Sequence, residues 1–227
     1  MNESQAREEI CRVGKSLFDR GYVHATAGNI SVRLDDGFLI TPTDACLGFL
    51  DPATLPKLDR NGHHVSGAKP SKTIVLHQRI YGAARAFDAD TACVIHTHSH
   101  ACTSLSLQHG DIKLDSELIP ALTPYFVMKV GHVPLIAYHR PGATEAAELV
   151  EQAILRYGHR GVPIRAVMLE RLGPNVWHNS AAAAMATLEE LEETARLWLH
   201  CKQLKDVPAP LDATQLQELR ITFGARW

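Results

Sequence analysis

The sequence predicts a single α/β domain in which helices and a sheet form packed layers. Three observations lead to this prediction. Segments typical of strands alternate with segments typical of helices, no internal repeat is present, and no linker is richer in proline than residues 206–210. The chain has 227 residues, of which 45% are hydrophobic, and this is enough for one large core. We therefore treat residues 1–227 as one domain.

The amino-terminal region predicts a helix followed by a β-hairpin. Ser4 is a candidate N-cap for a helix that has apolar residues at positions i, i+3 and i+7 and ends near Gly21. Strands are predicted over residues 30–34 and 38–41, because an Asp-Asp-Gly sequence typical of a tight turn separates two apolar runs. A second polar turn over residues 41–44 closes the hairpin.

Residues 69–73, with the sequence Lys-Pro-Ser-Lys-Thr, predict the start of the next helix, with Ser71 as its cap. A helix start exposes unpaired N–H groups and the positive end of the helix dipole, so Ser71, Lys72 and Thr73 form a candidate anion site. His77 lies on the same face as Thr73, four residues later. Taken singly, each of these residues is more often a cap or a solvated group than a ligand contact.

The rest of the chain continues the alternation of strands and helices. Strands are predicted over residues 92–95, 131–136 and 164–169. Helices are predicted over residues 101–107, from Thr144 to Gly158, from Ser180 onward and over residues 212–219. The apolar stripe of the long helix after Ser180 is typical of core or subunit contact; it contains Leu188, Leu191, Ala195 and Trp198.

Charge and cysteine content argue against several classes of function. The formal net charge at pH 7 is -2 and no block of like charge occurs, which argues against a nucleic-acid partner. Five scattered cysteines form no Cys-x-x-Cys pair, so we expect free thiols in a reducing compartment. The charged amino terminus and the lack of a long apolar run argue against secretion and membrane insertion, and predict a soluble, cytoplasmic protein.

The segment Ala92-Cys-Val-Ile-His-Thr-His-Ser-His100 is the candidate reaction centre. An apolar run typical of a buried strand leads directly into His96 and His98. If the extended geometry continues past the strand end, these two side chains point to the same side and converge on one metal ion. A histidine-rich polar loop is the competing interpretation, because a His-x-His motif without context is weak.

Four motifs of the chain, in this order, resemble the class II aldolase/adducin family. They are Gly28-Asn29-Ile30-Ser31, Thr41-Pro42-Thr43, Lys69-Pro70-Ser71-Lys72 and His96-Thr97-His98. Each motif is weak alone, and the four together extend over nearly the whole chain. Within the family, residues 69–72, 123–131 and 169–174 look most like the branch of decarboxylases that act on 3-oxo-tetronate 4-phosphates.

The resemblance implies a fold, a cofactor and an assembly. The fold would be a single three-layer αβα domain around a mixed, mostly antiparallel sheet. The cofactor would be a divalent metal ion, zinc above all, held by His96 and His98. Asn29, Thr43, Ser71 and Lys72 would bind the phosphate of a small phosphorylated sugar acid. The assembly would be a homotetramer with sites between subunits, and no nucleic acid or membrane would be involved.

The chain departs from the family pattern at three positions. Thr73 stands where the family's aldolases carry a glutamate that acts as acid and base, Leu172 stands where they carry a third metal histidine, and Asp44 stands where glycine is frequent. A catalytic zinc normally has three protein ligands and one open position. Glu170, two residues before Leu172, shares its face on a strand and is one candidate for the third ligand. The alternatives are a histidine from elsewhere, such as His100 or His132, and a weakened or empty metal site.

The missing glutamate bears on which reaction is expected. An aldolase needs a base to form its enediolate, and the hydroxyl of Thr73 is too weakly acidic to replace a carboxylate. A β-keto acid reaches the same enediolate by losing carbon dioxide, and then needs only a proton donor such as His77, Tyr125 or water. We therefore expect metal-dependent decarboxylation to dihydroxyacetone phosphate. The alternatives are a sugar-phosphate aldolase or epimerase and a non-catalytic, adducin-like scaffold.

Overall fold

A computed structural model of the chain describes residues 2–108 and 110–227. Seven α-helices are assigned in these ranges: α1 (Glu3–Asp19), α2 (Ile74–Ala84), α3 (His100–Ser106), α4 (Pro124–Lys129), α5 (Thr144–His159), α6 (Ala181–Cys201) and α7 (Ala213–Phe223). Eight strands are assigned: β1 (Asn29–Arg33), β2 (Gly37–Ile40), β3 (Lys57–Asp59), β4 (His64–Ser66), β5 (Cys93–His96), β6 (Leu135–Ile136), β7 (Ala166–Leu169) and β8 (Gly173–His178).

All eight strands belong to one mixed sheet, in the order β4-β3-β2-β1-β5-β8-β7-β6. Only the pair β6 and β7 is parallel among the described strands, and every other neighbouring pair is antiparallel. Helices α1, α3, α4 and α6 cover one face of the sheet, and α2 and α5 cover the other. The predicted three-layer arrangement around a mostly antiparallel sheet is confirmed.

Several helix caps follow the prediction and others do not. Ser180 accepts a hydrogen bond from the N–H of Ala183, and Asp212 forms a capping box at the start of α7. The predicted cap Ser4 is wrong, because Asn2 caps α1 with its side chain. Ser71 is also not a cap, since a turn comes first and α2 begins at Ile74. The helix predicted from Thr144 begins at that residue, with Ala143 at the N-cap position. The exact cap depends on backbone conformation, which the sequence pattern does not fix.

The two hydrophobic layers bury the expected stripes. On α6, Leu188, Leu191 and Ala195 are fully buried in the layer that α1 shares, which confirms their interpretation as core. All five cysteines are free thiols. None of the helices in the described ranges combines the length and the apolar composition that crossing a bilayer requires.

Candidate active site

The carboxyl-terminal tip of β5 carries two imidazoles. His96 is the last residue of the strand, and His98 follows two residues later. Their ring centroids are 5.1 Å apart and their ring planes make an angle of 69°. Imidazoles that share one tetrahedral zinc have centroids about 5 Å apart, given Zn–N distances of about 2.1 Å. The convergence of the two side chains expected from the His-x-His spacing is therefore present.

Both imidazoles are held in the neutral form that binds metals. The pKa of His96 is lowered to about 4, first by burial and then by His98, while its bond to the Pro174 carbonyl acts in the opposite direction. That bond is 3.0 Å long and uses Nδ1–H of His96 as donor, so Nε2 keeps its lone pair for a ligand. Burial, and after it the nearby His24, lowers the pKa of His98. Neither group has to lose a proton at neutral pH before it binds a cation.

Two glycines allow neighbouring segments of the chain to pack closely against the main chain of this tip. Gly28 has a φ of 82°, and a Cβ at this position would lie 3.0 Å from the carbonyl oxygen of His96. On the other side, Gly173 has a φ of 143°, and a Cβ there would collide with the carbonyl oxygen of Thr97. Both positions combine left-handed or unusual backbone with close approach, so glycine is required at each.

A buried carboxylate fixes the chain just after the histidines. Glu192 on α6 is 2% exposed and accepts hydrogen bonds from the N–H groups of Ala101 at 2.7 Å and Cys102 at 3.0 Å. These N–H groups belong to the first turn of α3, where a negative charge also meets the positive end of the helix dipole. The segment that carries His98 is therefore anchored to α6 through its following helix.

The two imidazoles line a cavity of about 340 Å³ at the edge of the sheet. This volume lies within the usual range for pockets that hold small molecules. Six residues predicted for the site line it: Asn29, Thr43, Ser71, Thr73, His96 and His98. A larger cavity, of about 680 Å³, is lined by none of these six, so the smaller one is the candidate active site.

Main-chain hydrogen bonds bring two distant motifs to one wall of this cavity. The N–H of Thr43 donates to the carbonyl of Lys69 at 3.0 Å, and the N–H of Ser71 donates to the carbonyl of Thr41 at 3.2 Å. These bonds form a short antiparallel bridge between Pro42 and Pro70. The hydroxyls of Ser71 and Thr73 are 2.8 Å apart beside it. Hydroxyl donors from both motifs therefore face the same space, as a phosphate site requires.

Two predicted site residues lie outside the cavity wall. Lys72 is exposed and does not line the cavity, since the turn before α2 directs Ser71 and Thr73 inward instead. His77 is fully buried on the face of α2 that packs against the sheet, with Nδ1 2.7 Å from the hydroxyl of Ser31. Burial, and after it His96, lowers the pKa of His77 to about 3, so this imidazole is neutral at physiological pH. The structure does not support the prediction that His77 is the proton donor.

Tyr125 and Glu170 also lie away from the two imidazoles. Tyr125 is 63% exposed and lines the larger cavity, so within one chain it does not face the candidate active site. The carboxylate of Glu170 accepts a hydrogen bond from the N–H of Tyr138 at 2.8 Å and lies 3.4 Å from Nε of Arg171. Its two partners draw Glu170 away from the cavity, which does not support its prediction as third metal ligand.

The family's metal ion therefore meets an incomplete set of ligands. Among residues 2–108 and 110–227, no three His, Cys, Asp or Glu side chains are grouped so that they could hold a metal. His100 is exposed at the start of α3, and His132 is engaged with Glu117 at 2.8 Å. Leu172, at the position of the family's third histidine, lines the cavity with an aliphatic side chain. The tautomer and neutrality of His96 fit a metal, whereas the three-ligand set does not form within the described chain.

Asn175 lines the cavity and was not predicted from the sequence. It lies on β8, and its Cα pairs directly with that of His96 in the β5–β8 ladder. A signal was present, because Asn175 is a lone amide within the otherwise apolar run from Gly173 to Trp177. This run was not recognised as a strand, so the amide was not assigned to the face of the sheet that carries His96.

Comparison with known proteins identifies similar chains over the full length. The family model for the class II aldolase and adducin N-terminal domain matches residues 8–199. A 3-oxo-tetronate 4-phosphate decarboxylase of Cupriavidus necator is 50% identical, with 99% of each chain covered. The Escherichia coli K12 protein of the same name is 42% identical over 86% of each chain.

A solved structure extends the similarity to three dimensions. YgbL of Escherichia coli, for which aldolase, epimerase and decarboxylase activities are named as candidates, superposes with a TM-score of 0.83 at 38% identity. The superposition covers 96% of this chain and 99% of YgbL. The order of helices and strands around the sheet is therefore shared across the whole length of both chains.

Proposed function

The chain belongs to the class II aldolase and adducin family, and from that premise we propose that it is a carboxy-lyase acting on a 3-oxo-tetronate 4-phosphate. The products are dihydroxyacetone phosphate and carbon dioxide. The observation that carries this choice of reaction is Thr73, whose hydroxyl lines the cavity where the family's aldolases carry a glutamate base. Loss of carbon dioxide needs no base, so a hydroxyl suffices at this position.

The wall formed by Thr43 and Ser71 is proposed to hold the substrate phosphate. Hydroxyl donors from both motifs and the amide of Asn29 face the cavity. Asp44 lines the same wall and is exposed, so its carboxylate can turn toward solvent when an anion binds. A phosphate bound here leaves the carbon chain of the substrate to extend toward His96 and His98.

In the proposed reaction the bond between C1 and C2 breaks, and its electron pair moves into the C2–C3 bond and onto the C3 oxygen. A divalent cation, when bound, supplies positive charge that stabilises this oxygen. His96 and His98 would hold the cation, and zinc suits two neutral imidazoles. A proton then adds to C2 and gives dihydroxyacetone phosphate. We propose water, or Tyr125 of a neighbouring subunit, as the donor.

The proposal extends to the oligomeric state and the cellular location of the protein. Tyr125 is exposed at its own cavity, which suits a residue that completes the site of another copy in a homotetramer. Five free thiols suit a reducing, cytoplasmic setting.

A second candidate function, a non-catalytic scaffold, is favoured by one observation, the incomplete set of metal ligands in the described chain.

A coupled assay of carbon dioxide and dihydroxyacetone phosphate tests the proposed reaction. With purified protein, a divalent cation and a 3-oxo-tetronate 4-phosphate, we expect the two products in equal amounts. Release of an aldehyde without carbon dioxide would identify an aldolase instead. Absence of turnover, together with absence of bound metal in protein purified without chelators, would identify a scaffold.

A further inference from the structure

A row of three polar side chains crosses the sheet at the cavity. His96 on β5 pairs with Asn29 on β1 and with Asn175 on β8. Directly paired residues on antiparallel strands present their side chains to the same face. The three groups therefore stand side by side, and all three line the cavity. We call Asn29, His96 and Asn175 the outer row.

Of the three residues in the outer row, Asn175 has the most side-chain atoms without a hydrogen-bond partner in the described chain. Its side chain is 0% exposed, and neither Oδ1 nor Nδ2 has a hydrogen-bond partner within residues 2–108 and 110–227. Leaving a buried polar group unsatisfied costs about 1–3 kcal/mol. A carboxamide with both ends unsatisfied is therefore costly for the folded chain, and a ligand in the cavity would remove that cost.

Packing alone does not explain an amide at this position. The partner of Asn175 on β7 is Val167, and the next residue of β8 on the same face is Trp177. Both belong to the apolar cluster beneath α2 and α5. An aliphatic side chain would fill this place without burying unsatisfied atoms. The retained amide is therefore best explained by a polar group that binds in the cavity.

We propose that Asn175 is a substrate-binding residue that recognises the C2 hydroxyl and the C3 carbonyl of the substrate, an inference that rests on the proposed function. The carboxamide offers a donor and an acceptor from one side chain, and these two neighbouring substrate groups require both. Nδ2–H donates to the C3 oxygen, and Oδ1 accepts from the C2 hydroxyl.

This assignment gives Asn175 two effects on the reaction. As the carboxylate leaves, the C3 oxygen gains negative charge, so the hydrogen bond from Nδ2 becomes stronger in the transition state than in the bound substrate. The direction of the C2 hydroxyl depends on the configuration at C2. Asn175 therefore also discriminates between the two enantiomers of the substrate, which differ in configuration at C2.

The variants Asn175→Leu and Asn175→Ala test the proposal. Leucine keeps the branching of asparagine and removes both unsatisfied atoms, so we expect the Tm of the substrate-free protein to stay equal or rise. We expect kcat/KM for the preferred enantiomer to fall about 10- to 100-fold, as loss of a hydrogen bond to a charged oxygen predicts. The ratio of kcat/KM between the two enantiomers should fall toward one. If leucine prevents folding, the smaller Asn175→Ala must still show the loss of kcat/KM and of enantiomer preference.

Thr103→Val is the matched control. Oγ1 of Thr103 on α3 is also buried without a partner in the described chain, yet Thr103 does not line the cavity. We expect this variant to keep kcat/KM and enantiomer preference. A fall in Tm of Asn175→Leu with unchanged kcat/KM would mean that Asn175 is structural. Loss of bound metal in the same variant would mean that it is a metal ligand. Either result overturns the proposal.

A binding measurement separates failure of this inference from failure of the proposed function. Dihydroxyacetone phosphate carries the same carbonyl and a neighbouring hydroxyl, and it should raise the Tm of the wild-type protein in a concentration-dependent way. We expect this shift to shrink in Asn175→Leu and to persist in Thr103→Val. If the wild type releases no carbon dioxide but shows this pattern, the proposed reaction is wrong and the binding role of Asn175 stands. An equal shift in all three proteins overturns the binding role.

Discussion

Two neighbouring sets of polar residues, at the same face of the sheet, bury their polar groups in opposite ways. The inner row consists of Ser31 on β1 and of His77 and Tyr81 on α2, which packs against it. The hydroxyl of Ser31 lies 2.7 Å from Nδ1 of His77 and 2.9 Å from the hydroxyl of Tyr81. The Tyr81 hydroxyl also donates to the carbonyl of Ser31 at 3.0 Å. In the outer row, two residues further along the strands, both asparagines have side-chain oxygens without a partner in the described chain.

This difference in hydrogen bonding indicates which of the two rows binds a ligand. Over the described residues, the inner row satisfies its polar groups internally except for Nε2 of His77, and all three residues are buried between α2 and the sheet. Such a network stabilises the fold and selects one packing of helix on sheet. The polar groups of the outer row face the cavity without partners in the described chain. The folded protein is therefore less stable than it would be with apolar side chains at these positions. We infer that the outer row serves binding and the inner row serves folding.

The largest expected effect comes from the centre of the outer row. His96→Ala should lower kcat by roughly three orders of magnitude or more and remove bound divalent metal, because it deletes both a ligand and the charge stabilisation that the ligand supports. Measured together, kcat and metal content should fall in parallel. His100→Ala is the control, since this exposed histidine lies outside the cavity and its loss should change neither. Full activity in His96→Ala would contradict the assignment.

A second expected effect concerns pH and the inner row. The folded-state pKa of His77 is about 3, below the value of about 6.5 in an unfolded chain, so the unfolded chain takes up the proton first. The contribution of His77 to the free energy of unfolding is therefore fully present above pH 6.5, and it decreases as the pH falls toward 3. The contribution of one such histidine is at most about 1.4 kcal/mol per pH unit.

Urea unfolding of metal-free protein between pH 7 and pH 4.5 measures this slope. His77→Gln keeps a neutral partner for Ser31 and removes the titrating group, so its slope should be smaller than that of the wild type. Equal slopes in both proteins would show that His77 does not titrate on unfolding, and would contradict the burial of this imidazole.

The smallest effect is expected from Ser31→Ala. Removing the hydroxyl leaves Nδ1 of His77 without its partner, and a buried group left unsatisfied costs about 1–2 kcal/mol. We expect this loss in the free energy of unfolding, with kcat changed less than about threefold. The pattern is the reverse of that expected for Asn175→Leu. A large fall in kcat without loss of stability would erase the distinction between the two rows.

The strand tip was predictable from the sequence because its signals are local. An apolar run that ends in His-x-His determines both the strand and the shared direction of His96 and His98, and the structure has both. The hairpin of β1 and β2 was predictable for the same reason. By contrast β3 and β4 were not predicted, since the three residues of β4 are exposed and the segment reads as a polar loop.

Three of the predicted site residues lie away from the cavity for reasons of geometry that a pattern does not contain. Counting along the chain places His77 one helical turn after Thr73, and its N–H does donate to the Thr73 carbonyl at 3.1 Å. That face of α2 packs against Ser31 of the sheet, however, so His77 is buried there. Alternation along β7 put Glu170 beside Leu172, but the chain turns at Arg171, which has a φ of 63°, so the period of two does not continue. Tyr125 is exposed and lines the larger cavity, a location that no local pattern determines.

The two glycines that flank the histidine tip have a consequence for how this protein can change over evolution. Gly173 lies against the main-chain carbonyl of Thr97, and Gly28 lies against that of His96 as well as the side chains of Val23 and Leu47. None of these contacts involves Thr73 or Leu172, so those two residues can be exchanged while the scaffold keeps its shape. An arrangement of this kind lets new chemistries arise by substitution of a few groups, whereas the two glycines themselves leave no room for a side chain.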